Sequence, residues 1–375
     1  MSVSPLPIGN TLRWFSLVAS LYLLLLAVAM ISTGFKLASG EQAMALFEFA
    51  SHPITGLMVG LTATALIQSS STTTSIIVGL VAGGLPLQIA IPMIMGANIG
   101  TTLTNTLVSL GHLRCQHEFR RAFAGATVHD FFNLLAVSIF LPLEIMFGLL
   151  EKLSSWIVAP FATMSSSGSI GFDFIKPMTK PVTQFITTQL QFENPIINGA
   201  IVIGLGIFIL FFAVLFMGQQ LKTLMVGRAE TILKTALGRG PCHGIAAGTA
   251  VTVLVQSSST TTSLIVPLIG NNIITLKEAY PFTLGANIGT CITALLAAMA
   301  VSGEHAILGL QIALVHLCFN VLGVLVLYGI PLFRNVPIHC AEWLAEKAQQ
   351  NKLTVVAYIA TVFFIIPAAL ITMTH

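Results

Sequence analysis

Of the chain's 375 residues 55% are hydrophobic and only 8% are charged, against about a quarter in ordinary soluble domains. That balance excludes a soluble domain and predicts an all-α polytopic membrane protein. A net charge of +3 without any basic tract excludes nucleic acid as a partner. Five scattered cysteines without CxxC spacing offer neither a metal cluster nor a disulfide framework.

In chain order, residues 14–35 carry no charge until Lys36. As a helix they reach about 33 Å, enough to cross a bilayer core and too long for a signal-peptide core. An amphipathic stretch is expected over 36–50. Residues 53–84 form a hydrophobic pair split by the run QSSSTTTS at 68–75, and each arm is too short to cross alone. Gly79, Gly83 and Gly84 with Pro86 act as breakers after the run. Spans follow at 88–110 and 122–148, then a linker over 151–195 with no cysteine and no N-x-[ST] sequon.

The second half repeats this order. A span over 196–218 and an amphipathic stretch over 222–238 precede a second split pair over 243–270, with QSSSTTTS again at 256–263 and breakers Pro267 and Gly270. Spans at 279–300 and 306–330 close the half. A cytoplasmic amphipathic segment and a last span over 353–371 end the chain.

Three blocks recur at nearly constant offset: QSSSTTTS; GANIGT at 96–101 and 285–290; and ATVHDFFNLLAV at 126–137 matched by ALVHLCFNVLGV at 313–324. One block could arise by chance, but three in register define two homologous halves. The expected organisation is a first repeat over 1–150, an extracytoplasmic linker over 151–195, a second repeat over 196–335 and a final segment over 336–375. If each split pair re-enters from one side, the first half crosses three times and the repeats are inverted. With a cytoplasmic N-terminus, twelve of the sixteen Lys and Arg then fall inside; only Lys36, Lys152, Lys176 and Lys180 fall outside. A multi-pass protein of the cell (inner) membrane is expected.

Eight polar residues inside a hydrophobic segment are costly unless they face protein, water or a ligand. Paired broken helices in inverted repeats point to a transporter with its site between the halves, near the membrane midplane. Residues 49–113 and 240–276 hold no Asp, Glu, Lys or Arg, so neutral groups must do the binding.

 Neither stretch contains a single charged side chain. Hydroxyl and amide oxygens and the carbonyls freed at a helix break suit a hard cation such as sodium. Half-helix N-termini and serine hydroxyls suit an anion. Gln68 and Gln256 with the neighbouring Ser and Thr supply both. Asn98 and Asn287 within GANIGT are further polar groups; Thr101 and Thr104, like Thr290 and Thr293, share a helix face at i, i+3.

His129 with Asn133, and His316 with Asn320, stand at i, i+4; neutral hydrogen bonding between helices is favoured over a proton relay or a metal. Asp130 lies in an apolar run, with Arg120 or Arg121 as its expected partner. An intramembrane hydrolase is disfavoured, because no G-x-S-x-G elbow exists, and the chain is not expected to be an enzyme. A purely structural protein, with Ser and Thr as helix glue, explains an isolated serine better than eight polar residues repeated in order.

Taken together, QSSSTTTS twice, GANIGTT followed by TNT, FRRAFAGATVHDFFN at 119–133, TKPVTQFI at 179–186 and AYPFTLGANIGT at 279–290 make the chain resemble the type II sodium-dependent phosphate cotransporter family. The resemblance covers both halves and the linker. It implies sodium-coupled symport of inorganic phosphate into the cell, with sodium as co-substrate, no cofactor and the lipid bilayer as surroundings. An exporter, or a carrier of another oxyanion, is the alternative, and a homodimer is left open. Matched by motif, Ser69, Ser70, Ser71, Ser257, Ser258 and Ser259 would bind phosphate. Gln68, Asn98, Thr101, Gln256, Ser257, Asn287, Thr290 and Thr293 would bind sodium. The resemblance also ties electrogenic transport to an extra carboxylate in the first half; its absence from 81–90 leans toward electroneutral transport.

Overall fold

The computed structural model describes residues 10–38, 52–113, 115–166, 175–190, 192, 194–236, 239–301 and 306–373. Among these there is no strand. The first half holds α1 (Asn10–Ala38), α2 (Pro53–Ile67), α3 (Ser70–Gly83), α4 (Leu87–Gly100), α5 (Leu103–Ser109) and α6 (Gln116–Phe147). Between the halves lie α7 (Leu149–Ser166) and α8 (Ile175–Gln189). The second half holds α9 (Pro195–Ala236), α10 (Pro241–Val255), α11 (Ser258–Ser263), α12 (Val266–Gly270), α13 (Leu276–Met299) and α14 (Ala306–Tyr328). After them come α15 (Pro331–Arg334), α16 (Val336–Gln350) and α17 (Leu353–Met373).

Six of these helices, α1, α6, α9, α13, α14 and α17, are long and apolar enough to cross a membrane. The split pairs are not: α2 has 15 residues and α3 has 14, about 22 Å each against a core of about 30 Å.

Close backbone approaches set how the helices pair. α1 lies against α9, where a Cβ on Gly34 would meet the Gly199 carbonyl oxygen at 2.8 Å and one on Gly199 would meet that of Gly34 at 2.5 Å. Within each half the GANIGT helix packs on the first arm of the split pair. A Cβ on Gly96 would fall 1.9 Å from the Leu57 oxygen, and one on Gly285 2.0 Å from that of Ile245. Small residues spaced by four let membrane helices touch along their backbones.

One buried apolar cluster runs through both halves, from Leu24 on α1 through Ile94 on α4 and Phe132 on α6 to Phe282 on α13, Phe319 on α14 and Phe363 on α17. The outer surface is apolar as well. Phe208, Phe212 and Phe216 follow one another at i, i+4 and i+8 along α9, all exposed. A stripe of this kind is at home against lipid, whose chains are as apolar as the rings.

The structure departs from the sequence expectation at several points. The span expected over 88–110 breaks at Thr101 and Thr102, between α4 and α5. The stretch 222–236 continues α9 without interruption. Gly79 and Gly83 are helical rather than breakers, facing Ile31 and Phe35 of α1; Gly84, at φ +125°, ends α3. Pro267 opens α12 instead of closing a helix, because the first turn needs no N–H from it. The linker carries α7 and α8, and the expected boundary at 150 falls inside α7. Residues 39–50 of the first amphipathic stretch lie outside the described residues.

Candidate functional site

Both QSSS runs break their helices in the same way. Gln68 ends α2 in the left-handed region at φ 59°, ψ 25°, and Gln256 ends α10 at φ 54°, ψ 28°. That conformation costs a residue with a Cβ about 1–2 kcal/mol. Each glutamine offsets it by folding back: Gln68 Nε2 donates to the Ala65 carbonyl at 2.6 Å, and Gln256 Nε2 to that of Val253 at 2.8 Å. Those carbonyls belong to last turns, where helices leave acceptors open. The chain then restarts as a helix, with Ser69 and Ser257 as N-caps. Their Oγ atoms accept from the N–H of Thr72 and of Thr260, each at 3.2 Å. A serine cap contributes about 1 kcal/mol.

The two runs meet. Gln68 to Ser71 and Gln256 to Thr260 line one cavity of about 230 Å³. Val214, Leu215, Gly218 and Gln219 of α9 and Val255 of α10 complete its wall, and no lining residue is charged. Ser69 and Ser257 are committed to the caps. By contrast, the hydroxyls of Ser70, Ser71, Ser258 and Ser259 have no hydrogen-bond partner among the described residues. The first N–H groups of α3 have no intrahelical acceptor, and its 14 residues give it a positive N-terminal end. α11, with six residues, offers hydroxyls rather than a comparable dipole.

Val214 to Gln219 lie roughly 29–36 Å along α9 from Pro195, at 1.5 Å per residue. The cavity is therefore level with the end of the apolar span Pro195–Leu221, beyond its middle.

Beside the cavity, each glutamine oxygen is held by a threonine of the GANIGT segment or its continuation. Thr104 Oγ1 donates to Gln68 Oε1 at 2.7 Å, and Thr293 Oγ1 to Gln256 Oε1 at 2.8 Å. Thr104 is absent from the expected sodium set, although the offset of 189 that relates the GANIGT blocks makes it the counterpart of Thr293. Thr101 and Thr290 donate to the carbonyls of Ala97 and Ala286 one turn back, which leaves their oxygens as acceptors. Thr64 and Thr252, one turn before the glutamines, are buried with unpartnered hydroxyls. The lining residues of α9 were not foreseen either, since no motif marks them.

Asn98 and Asn287 are placed elsewhere and do not line the cavity. Asn98 Oδ1 meets His316 Nε2 at 3.1 Å, and its Nδ2 donates to Asn320 Oδ1 at 3.3 Å. Asn287 Oδ1 meets His129 Nε2, and its Nδ2 donates to Asn133 Oδ1 at 2.9 Å. All six side chains are buried. The interhelical hydrogen bonding expected of the His and Asn pairs is present, and it runs between the halves.

Asp130 does not pair with Arg120 or Arg121. Its Oδ2 accepts from the Tyr358 hydroxyl of α17 at 2.7 Å, and its Oδ1 is buried without a partner. Arg121 instead donates from Nε to the Gly270 carbonyl at 2.9 Å. The arginines sit nine or ten residues before Asp130, about 14–15 Å along α6, out of reach. The first half thus holds a buried carboxylate outside 81–90.

A family model described as Na+/Pi-cotransporter matches residues 23–160 and 209–333. The chain belongs to that family. Sodium-dependent phosphate transport protein 2B of Homo sapiens is 33% identical over 95% of this chain and 64% of its own length. Protein 2B of Pongo abelii gives the same figures, and protein 2A of Rattus norvegicus is 33% identical over 93% of this chain and 65% of its own length. The chain spans a little under two thirds of these relatives. No solved structure matches it. Membership of the Na+/Pi-cotransporter family, with six apolar helices of spanning length, makes this a multi-pass membrane protein.

Proposed function

We propose that the chain is a sodium-coupled symporter that carries inorganic phosphate into the cell. The names of the relatives supply the substrate pair. The observation that carries the reading is the shared cavity, where four serine hydroxyls from the two QSSS runs stand without protein partners and without a charged neighbour in the lining. Such a lining can bind and release an oxyanion without the deep trap that an arginine cluster would make. Ser70, Ser71, Ser258 and Ser259 would donate to phosphate, with Ser69 and Ser257 holding the helix starts in place.

Sodium would be held by the oxygens of Gln68 and Gln256, helped by Thr101 and Thr104 in one half and Thr290 and Thr293 in the other. Asn98 and Asn287 would act at the contact between halves, because their side-chain oxygens already face histidine nitrogens. No cofactor enters this scheme, and it is not an enzymatic one.

The two repeats, 1–150 and 196–335, would be inverted about the membrane plane with the N-terminus cytoplasmic and the linker outside. In that topology the C-terminal end of the α9 span is its cytoplasmic end, so this conformation faces inward. Alternating access would then carry the site across. Uptake of labelled phosphate into proteoliposomes tests the reading. The expected result is uptake driven by an inward sodium gradient; equal uptake with potassium in place of sodium would overturn it.

A further inference from the structure

A second cavity, of about 550 Å³, lies where α16 packs along the start of α6 and meets the loop that leads into α13. Arg120 and Arg121 of α6 form one wall. His339, Glu342, Trp343 and Glu346 form another. At i, i+3, i+4 and i+7 they share one face of α16, while Ile338, Ala341 and Leu344 bury its other side.

Two guanidinium groups and two carboxylates therefore line the same cavity, yet no ion pair joins any of them. Arg121 Nε donates to the Gly270 carbonyl at 2.9 Å, which leaves its outer N–H groups free. The side chain of Arg120 has no partner among the described residues, and neither do those of Glu342 and Glu346. Opposite charges held apart in one cavity suit a ligand that meets both. The four charges cancel, so that ligand has one anionic end, one cationic end and no net charge.

The chemistry of each end follows from the donors and acceptors. Arginine forks match the oxygens of a phosphate, and Asn272 adds a side-chain amide to the lining. Ionised carboxylates only accept hydrogen bonds. They are satisfied by a primary ammonium, which has N–H groups to give, and not by a quaternary one.

The position selects a lipid as the carrier of those two groups. Arg121 lies five residues, about 8 Å, inside the start of the spanning helix α6. Leu276, also in the lining, is the first residue of the spanning helix α13, and α17 starts seven residues after Glu346. The cavity is thus level with the ends of three apolar spans, the depth of the headgroups. Trp343 and Ile273 are exposed there, and tryptophan is at home in that layer.

We propose that this cavity binds the headgroup of a phospholipid with a primary ammonium, as in phosphatidylethanolamine. Its phosphate would lie against Arg120, Arg121 and Asn272, and its ammonium against Glu342 and Glu346. The assignment to the cytoplasmic leaflet rests on the topology proposed above; the site itself does not, and a chain that moved no phosphate would leave it standing.

The purified full chain in detergent is titrated with phosphatidylethanolamine, phosphatidylcholine or phosphatidylglycerol of the same acyl chains, and bound lipid is counted by native mass spectrometry. Phosphatidylethanolamine should bind about tenfold more tightly than either of the others, the effect of one charge-assisted hydrogen bond. Equal affinity for all three, or tighter binding of phosphatidylglycerol, would overturn the site. Glycerophosphoethanolamine tests for a soluble source of the same chemistry: displacement of the lipid at equal concentration would overturn the lipid as ligand.

Two variants locate the preference. Glu342→Gln with Glu346→Gln should abolish the advantage over phosphatidylglycerol, and Arg120→Gln should weaken phosphatidylethanolamine binding about tenfold. None of these three side chains has a protein partner to lose, so the melting temperature in detergent should stay unchanged. A preference that survives in both folded variants would place the lipid elsewhere and overturn the assignment.

Discussion

His316 of the second half meets Asn98 of the first through Nε2 and Oδ1 at 3.1 Å, and His129 of the first half meets Asn287 of the second in the reciprocal pair. Each asparagine donates its amide to another asparagine, Asn98 to Asn320 and Asn287 to Asn133, so its oxygen is the acceptor and the histidine carries the proton on Nε2. Removal of a buried partner costs about 1–3 kcal/mol. Asn98→Ala and His316→Ala should each lower thermal stability in detergent by that amount, and the double variant should cost less than the two together. Strict additivity would show that the pair does not act as a unit.

The glutamines should behave differently. Gln256→Ala removes a side-chain oxygen beside the cavity while leaving the serine hydroxyls in place, so it should raise the sodium concentration for half-maximal uptake about tenfold, equivalent to about 1.4 kcal/mol. Gln68→Ala should act in the same direction. Sodium titration of phosphate uptake checks both, and an unchanged sodium requirement would remove the glutamines from the cation site.

Ser70→Ala and Ser258→Ala each delete a hydroxyl that has no protein partner, so the fold should tolerate them. One lost neutral hydrogen bond to the substrate is worth about 0.5–1.5 kcal/mol, and the phosphate KM should rise about two- to tenfold. Ser69→Ala should instead lower stability, by about 1 kcal/mol, through its cap. Parallel measurement of melting temperature and uptake kinetics separates the two outcomes.

Gly96 and Gly285 have no room for a side chain, since a Cβ would fall about 2 Å from a backbone oxygen of the facing helix. Gly285→Val should force α10 and α13 apart and cost at least about 1–3 kcal/mol, seen as loss of monodisperse protein on size exclusion. Gly204→Ala is the control: a Cβ there meets nothing within 4 Å, and the protein should be recovered normally.

Tyr358 donates its hydroxyl to Asp130 Oδ2 at 2.7 Å, and Tyr358→Phe removes that donor. The expected cost is about 1–3 kcal/mol, as for any buried acceptor left without its donor. Asp130→Asn in the same background should recover part of that cost, because the residue no longer carries a charge. A double-mutant cycle on melting temperature measures this coupling.

Much of the site could be read along the chain because it is built from contiguous residues. Gln68 to Ser71 and Gln256 to Ser259 needed only polarity against an apolar background and their repetition, and the structure joins both runs in one cavity. Thr104 was within reach of the same argument, through its constant offset from Thr293. Val214, Leu215, Gly218 and Gln219 were not, since no motif in the sequence of α9 marks the stretch that meets the cavity. Asp130 shows the opposite failure: nearness along the chain suggested Arg120 and Arg121, whereas the partner comes from Tyr358, 228 positions away.

Composition was enough to determine a helical membrane protein, because the cost of burying polar groups in lipid leaves few other readings of such a sequence, and the recurrence of three blocks led to the expectation of two related halves. Which side chains face each other across the halves was decided only by tertiary packing. Reciprocal contacts such as His129 with Asn287 and His316 with Asn98 depend on the angle and depth at which helices cross, and those are set by many glycine and apolar contacts at once rather than by any single motif.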